Sequence, residues 1–232
     1  MRLSITNKLK KQLHKDQGYL QDELITSLYQ VLPDLILHGG TTIWRCYGGN
    51  RYSEDLDFYL IEQDGIQIKI KQTLEKINLN LIKYKQTDNV IFAKASNNID
   101  VRIEIRLLKK KDPILSKKVV REYERMDGGI ISIYTLSVED LLLEKANAYI
   151  NRKLIRDIYD VYYLSYFISD NKEYRKQVIE LINKFPLSAV DESTFKSIIL
   201  TGVTPTTKQM LDSLKKNLIY KIKINYEIPT IN

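Results

Sequence analysis

The chain has 232 residues, 44% of them hydrophobic and 28% charged, with a formal net charge of +7 and a sequence pI near 9.2. That length buries a core as one large domain or two small ones. The balance is that of a soluble globular chain rather than a disordered or fibrous one, and the positive charge favours an anionic partner, a nucleotide, a nucleic acid or both. One cysteine, Cys46, excludes an internal disulfide, and two histidines, His14 and His38, make a zinc site a poor candidate. There is no run of 18 apolar residues and no signal-peptide pattern, so the expected location is the cytoplasm, with no membrane partner.

Leu9, Leu13, Leu20, Leu24, Ile25, Leu28 and Val31 fall at helical spacing, which predicts one or two helices over residues 4–31 with Gly18 as a possible break. Pro33 ends this segment before a short apolar strand, Leu35–Leu37. Gly39 and Gly40 then suit a tight turn that lets a phosphate approach the backbone, and Thr41 is placed to cap a helix running through Ile43 and Trp44. A strand–Gly-Gly–helix junction aims free N–H groups at one point, which favours anions. Asp55 and Asp57 follow in a strand of about 55–61, two apart and therefore on one face. Paired carboxylates repel each other unless a cation lies between them. Mg²⁺ carrying substrate phosphates satisfies that need through one or two carboxylates. The Walker pattern and the dinucleotide fingerprint are both missing.

Further along, Ile66, Ile70, Leu74 and Ile77 form a helical stripe, and Leu79–Lys85 and Val90–Ala95 read as short strands. Ile99–Leu108 alternates apolar and charged residues, which puts Glu104 in the middle of a polar strand face. Glu104 has two readings: a third carboxylate that holds a metal or takes the acceptor proton, or an ion-pair partner of Arg102 or Arg106. Lys109–Arg125 carries a net charge of +4, from seven basic and three acidic residues, and reads as a solvated connection or as a polynucleotide contact through Lys109, Lys110 and Lys111. Val119–Glu124 and Ile130–Tyr134 form a hairpin pattern. Ser137 and Asp140 open a helix with Lys145 and Tyr149, and a second helix carries Arg156, Asp157 and Asp160, the two acids sharing one face. The tyrosines nearby read as core or as base-stacking platforms. Helices near 172–184, 191–200 and 206–224 complete the chain, whose residues 171–232 again carry a net +4.

The block GGTTIWRCYGGNRYSEDLDF resembles the conserved block of the AbiEii/AbiGii toxin family, a MenT-like branch of the DNA polymerase β-like nucleotidyltransferases. The 14 residues between Gly40 and Asp55 suit that branch. The later stretch LLLEKANAYINRKLIRDIYDVYYL resembles the family's Glu-Lys and Arg-Asp-x-x-Asp motifs. The resemblance implies that Gly39, Gly40, Thr41, Arg51 and Ser53 bind the nucleotide, that Asp55 and Asp57 hold two Mg²⁺ ions (or Mn²⁺), that Lys145 supports the triphosphate, and that Asp157 or Asp160 completes the site.

The expected fold is α/β (α+β), a polymerase β-like core with a mixed sheet over residues 1–135 and a helical domain over 136–232. The expected activity is a toxin-type nucleotidyltransferase of a toxin–antitoxin or phage-defence pair. It would move a nucleotide from an NTP to an acceptor hydroxyl, a tRNA 3′ end by resemblance, with release of pyrophosphate, and would answer to a cognate antitoxin protein. Two other readings stand beside it: transfer to a protein or a small molecule such as an aminoglycoside, and a non-catalytic binding module.

Overall fold

A computed structural model describes residues 5–169 and 171–224 and divides the chain between Ser137 and Val138 into two compact units. The first unit is a mixed seven-stranded sheet with helices; the second is helical.

In the first unit the chain runs through helices α1 (Ile5–Lys8) and α2 (Gln12–Val31), strand β1 (Ile36–His38), helix α3 (Gly39–Cys46), strand β2 (Asp55–Ile61) and helix α4 (Ile66–Lys76). Strands β3 (Asn80–Gln86), β4 (Val90–Ser96) and β5 (Asp100–Leu108) follow, then a 3₁₀ turn at Pro113–Lys117 and the hairpin β6 (Lys118–Glu124) and β7 (Ile130–Leu136). The strand order is β3-β4-β5-β2-β1-β7-β6, with the β2/β5 and β1/β7 pairs parallel and the others antiparallel.

Alternation decides which face of this sheet is wet. Val101, Ile103, Ile105 and Leu107 are buried, while Asp100, Arg102, Glu104 and Arg106 between them are exposed. The buried set joins Leu56, Phe58, Leu60, Ile91, Ala93 and Ala95 in one core with Leu24, Ile25 and Leu28 of α2 and Ile70 and Leu74 of α4. A buried aliphatic side chain of this size contributes roughly 1.5–3 kcal/mol, and a one-residue slip in register would turn every such side chain outward.

Gly18 does not break the first helix. The break lies at residues 9–11, and α2 runs through Gly18 because its bare Cα packs on Met126, whose Sδ lies 2.8 Å from where a Cβ would be. Tyr29 ties α2 to two strands: its hydroxyl donates to the Tyr134 carbonyl at 2.8 Å and accepts from the Leu37 N–H at 3.2 Å.

The second unit contains α5 (Val138–Arg152), α6 (Ile155–Leu164), α7 (Lys172–Ile182), the short α8 (Glu192–Phe195) and α9 (Thr207–Ile224). The helix expected over 191–200 is confined to one turn. Asp191 caps the chain elsewhere, its carboxylate accepting from the Ile155 N–H at 2.6 Å at the start of α6. Asn171 caps α7 by accepting from the Tyr174 N–H. Tyr159 meets Phe195 edge-on with centroids 4.9 Å apart, and Tyr149 is buried with its hydroxyl donating to the Pro186 carbonyl, so both rings are core side chains.

Candidate active site

Gly39 is the first residue of α3 and has φ +75°, a left-handed conformation that glycine adopts without a side-chain clash. A Cβ there would collide with the Asp57 carboxylate. At Gly40 a Cβ would meet Arg51 Nη2 at 2.5 Å and Ser53 Oγ at 2.7 Å. The turn is therefore a bare backbone surface with Asp57 on one side and Arg51 and Ser53 on the other. It opens an eight-residue helix whose first N–H groups have no intrahelical partner.

Thr41 does not cap this helix. It lies inside α3, fully buried, and its hydroxyl donates to the Asp55 carbonyl at 2.6 Å. That bond locks α3 to the start of β2, so Thr41 positions Asp55, and only its backbone is left to face an anion.

The loop between α3 and β2 is held from α2. Gln21 Nε2 donates to the Ser53 and Glu54 carbonyls at 3.0 and 2.9 Å, and the Tyr52 hydroxyl donates to Gln17 Oε1 at 2.6 Å. Arg51 is 4% exposed and donates through Nη1 to the Tyr52 carbonyl. Beneath lies a buried hub that sequence reading missed. Asp22 accepts from Arg45 Nη2, from the Tyr123 hydroxyl at 2.9 Å and from the Met126 N–H at 2.6 Å. Burial pushes the Tyr123 phenol up to about 12, which keeps it a donor. Arg45 is further enclosed by the faces of Trp44 and Tyr123, 4.6 and 4.8 Å from their centroids.

Pairing across the sheet assembles the rest. Asp57 is opposite His38 on β1 and Glu104 on β5; Asp55 is opposite Arg102. The structure thus brings Glu104 alongside Asp57. Arg102 serves the other acids, its Nε 2.7 Å from Asp55 Oδ1 and its Nη2 3.6 Å from Glu54. His38 is stacked on Tyr59 with centroids 3.8 Å apart, a packed strand residue. A cleft of about 410 Å³ lies over this face, and its lining includes Asp55, Asp57, Arg102 and Glu104 together with Lys83, Lys85, Phe92 and Lys94.

Lys83, Lys85 and Lys94 were not singled out by sequence reading. For Lys83 and Lys85 the signal available was the charge alternation in NLIKYKQ. The Lys109–Lys111 triplet follows the end of β5, whereas Asp55 pairs with Arg102 near its beginning. Lys109 is seven positions beyond Arg102, roughly 23 Å along an extended chain. Lys109 is there engaged by Glu62 at 2.5 Å.

Among the described residues no three or more His, Cys, Asp or Glu side chains converge as a metal cage. The aspartate pair nevertheless fits Mg²⁺, which takes hard oxygen ligands, needs only one or two protein carboxylates and keeps water and phosphate oxygens.

In the second unit, Lys145, Asp157 and Asp160 come together. Lys145 Nζ is 3.7 Å from Asp157 Oδ1 and 3.4 Å from Asp160 Oδ2, with all three side chains buried. Arg152 grips Asp157 with Nη2 at 2.7 Å and Nε at 3.2 Å. Two cations and two carboxylates offset each other there. Asp157 has both oxygens engaged by Arg152, whereas the Asp160 carboxylate faces Lys145.

The sequence matches the family described as nucleotidyl transferase AbiEii toxin, type IV toxin–antitoxin system, over residues 24–221. The chain belongs to this family. It is a toxin-type nucleotidyltransferase by membership, with a mixed α/β fold. Several solved structures share that fold at low identity. JHP933 from Helicobacter pylori superposes with a TM-score of 0.58 and 19% identity, covering 91% of this chain and 94% of that one. The nucleotidyltransferase toxin MenT4 from Mycobacterium tuberculosis gives 0.56 and 16%, with 92% and 84% covered. No curated protein sequence matches significantly. No helix among the described residues is long and apolar enough to cross a membrane.

Proposed function

We propose that this AbiEii-family chain transfers a nucleotide from an NTP to the 3′ hydroxyl of an RNA, a tRNA end in the reading that the charge supports, with pyrophosphate as the leaving group. The observation that carries the proposal is the packing of the bare Gly39 turn against Asp57, with Asp55 and Glu104 on the same sheet face. That arrangement offers backbone N–H groups to a triphosphate and carboxylates to its counterion within one cleft.

Gly39, Gly40 and the backbone of Thr41 cradle phosphate oxygens, while Arg51 and Ser53, adjacent to Gly40, neutralise and orient them. Asp55 and Asp57 would hold Mg²⁺, or Mn²⁺ in its place. A bound divalent ion supplies charge neutralisation for the triphosphate and for the charge that develops in the reaction. The acceptor oxygen bonds to the α-phosphorus, the bond from that phosphorus to the bridging oxygen of the β-phosphate breaks, and the hydroxyl proton passes to Glu104, the carboxylate next to Asp57. Arg102 offsets the negative charge of Asp55 and Glu54, which keeps the carboxylate row from repelling the incoming phosphates. Lys145, Asp157 and Asp160 are carried as contributors to the reaction on the family pattern alone.

The biological role proposed is growth arrest in the cytoplasm, held in check by a cognate antitoxin protein; the family's description as a toxin of a type IV toxin–antitoxin system supports this reading. The test is incubation with each α-labelled NTP and total RNA. One NTP is expected to label a small RNA, with labelling abolished by EDTA and restored by Mg²⁺. Label found only on protein would replace the RNA reading by protein modification.

A further inference from the structure

The wet face of the sheet carries two rows of side chains set by the strand register. One row runs Lys85, Phe92, Glu104, Asp57 on β3, β4, β5 and β2. The next runs Lys83, Lys94, Arg102, Asp55 on the same four strands. Each step is one strand spacing, about 4.8 Å, so a row spans roughly 14 Å. The two ends of the rows differ in kind. At the β2 end are the carboxylates and, beside Asp57, the Gly39 turn. At the β3/β4 end are lysines around a single aromatic ring.

Phe92 is 43% exposed, on a strand whose neighbours Ile91 and Ala93 are buried. A phenyl ring on the wet side of a sheet adds little to the core, and its cross-strand partners are Lys85 and Glu104 rather than apolar residues. Lys83 and Lys85 make no ion pair among the described residues, and Lys94 is held by Asp100 at 2.5 Å. A triphosphate at the Gly39 turn has its own backbone donors and Arg51, so these lysines, on the other side of the carboxylate row, call for a second anion. Cations spaced around an aromatic platform match a single-stranded polynucleotide, whose bases stack on rings and whose phosphates track positive charge.

We infer that the β3–β4 hairpin is the acceptor subsite: the terminal base of an unpaired RNA 3′ end stacks on Phe92, and Lys83 and Lys85 hold the phosphates preceding it. The inference rests on the nucleotidyl-transfer reading above. It places the terminal ribose over Glu104, one strand from Asp57, so the attacking hydroxyl reaches the carboxylate row from the side away from the Gly39 turn. A duplex end does not satisfy the subsite, because its terminal base is already paired and stacked.

The experiment is fluorescence anisotropy of a fluorescein-labelled single-stranded RNA 12-mer, without nucleotide, across a salt series, alongside steady-state transfer assays. The wild-type chain is expected to bind the single strand more tightly than a blunt duplex of the same sequence. Phe92→Ala is expected to weaken binding about tenfold and Phe92→Trp to retain it. Lys83→Ala with Lys85→Ala should lower the slope of log affinity against log salt by about 1.4, at about 0.7 for each phosphate left without its lysine. All three side chains are exposed, and far-UV circular dichroism verifies that the variants fold. In transfer assays the KM for RNA should rise while that for NTP is unchanged. Transfer to RNA with wild-type RNA KM in these variants overturns the subsite and leaves the reaction standing. RNA binding that depends on Phe92, without transfer from any NTP, overturns the reaction and with it the acceptor role, and leaves only a single-strand RNA site on the hairpin. A rise in NTP KM alone in Phe92→Ala assigns the ring to the incoming base and overturns the inference, as does equal binding of single strand and duplex.

Discussion

Gly39 packs against the Asp57 carboxylate beside the β1–β2 pair, at a point where a side chain on the glycine would displace the acid. The glycine has φ +75°, and the space where its Cβ would project is filled by the Asp57 carboxylate. Two independent constraints therefore select the same residue: backbone conformation and close approach.

Gly39→Ala is expected to reduce transfer at least a hundredfold, because the displaced carboxylate no longer faces the bound phosphates. The left-handed conformation alone costs an L-residue about 1–2 kcal/mol. Urea denaturation should show a loss of that order or more, and single-turnover assays should show the rate loss in protein that is still folded. A wild-type rate would refute the assignment of this turn.

Asp57→Ala should abolish transfer and leave the fold intact, since it removes one of several adjacent negative charges from a half-buried position. Isothermal titration with Mg²⁺ and a non-hydrolysable NTP should then show weakened joint binding. Expression of the wild-type chain in a host should arrest growth, and Asp55→Ala or Asp57→Ala should relieve the arrest. Arrest that persists in both would separate toxicity from nucleotidyl transfer.

Asp22→Ala should be among the most damaging substitutions in the first unit, although Asp22 touches no proposed substrate. It strands the Arg45 guanidinium, 2% exposed, together with the Tyr123 hydroxyl and the Met126 N–H. Breaking a buried pair from one side costs about 3–5 kcal/mol. Adding Arg45→Met to Asp22→Ala should recover part of that loss, which a double-mutant cycle in urea would read directly. Equal and additive losses would argue against coupling.

Lys145→Ala is expected to lower both activity and stability, because Asp157 and Asp160 lose a cation that lies 3.7 and 3.4 Å away. Lys145→Ala with Asp160→Asn restores the charge balance and should recover stability. Thermal unfolding and kcat measured together separate the two roles. A double variant with recovered stability and no transfer assigns the Lys145–Asp160 pair to the reaction, whereas recovery of both assigns it to the fold of the second unit.

Local information decided much of this protein. The Gly39-Gly40 turn, the Asp55/Asp57 pair, the alternation through β5 and the helical stripe of α4 are each written within a few residues, because the periods of helix and strand act over that range. The family resemblance was legible for the same reason, its block spanning about twenty residues. What tertiary structure alone decided depends on distant partners. Asp22 reads as an ordinary helix-surface acid until it meets Arg45 and Tyr123, 23 and 101 positions away. Thr41 reads as a helix cap until the Asp55 carbonyl takes its hydroxyl. Gly18 reads as a breaker until Met126 packs against it. The rows joining Lys83, Lys85 and Phe92 to the aspartates exist only through the registers of four strands. Register is set by burial of the opposite face, a property of the assembled sheet that no single segment contains.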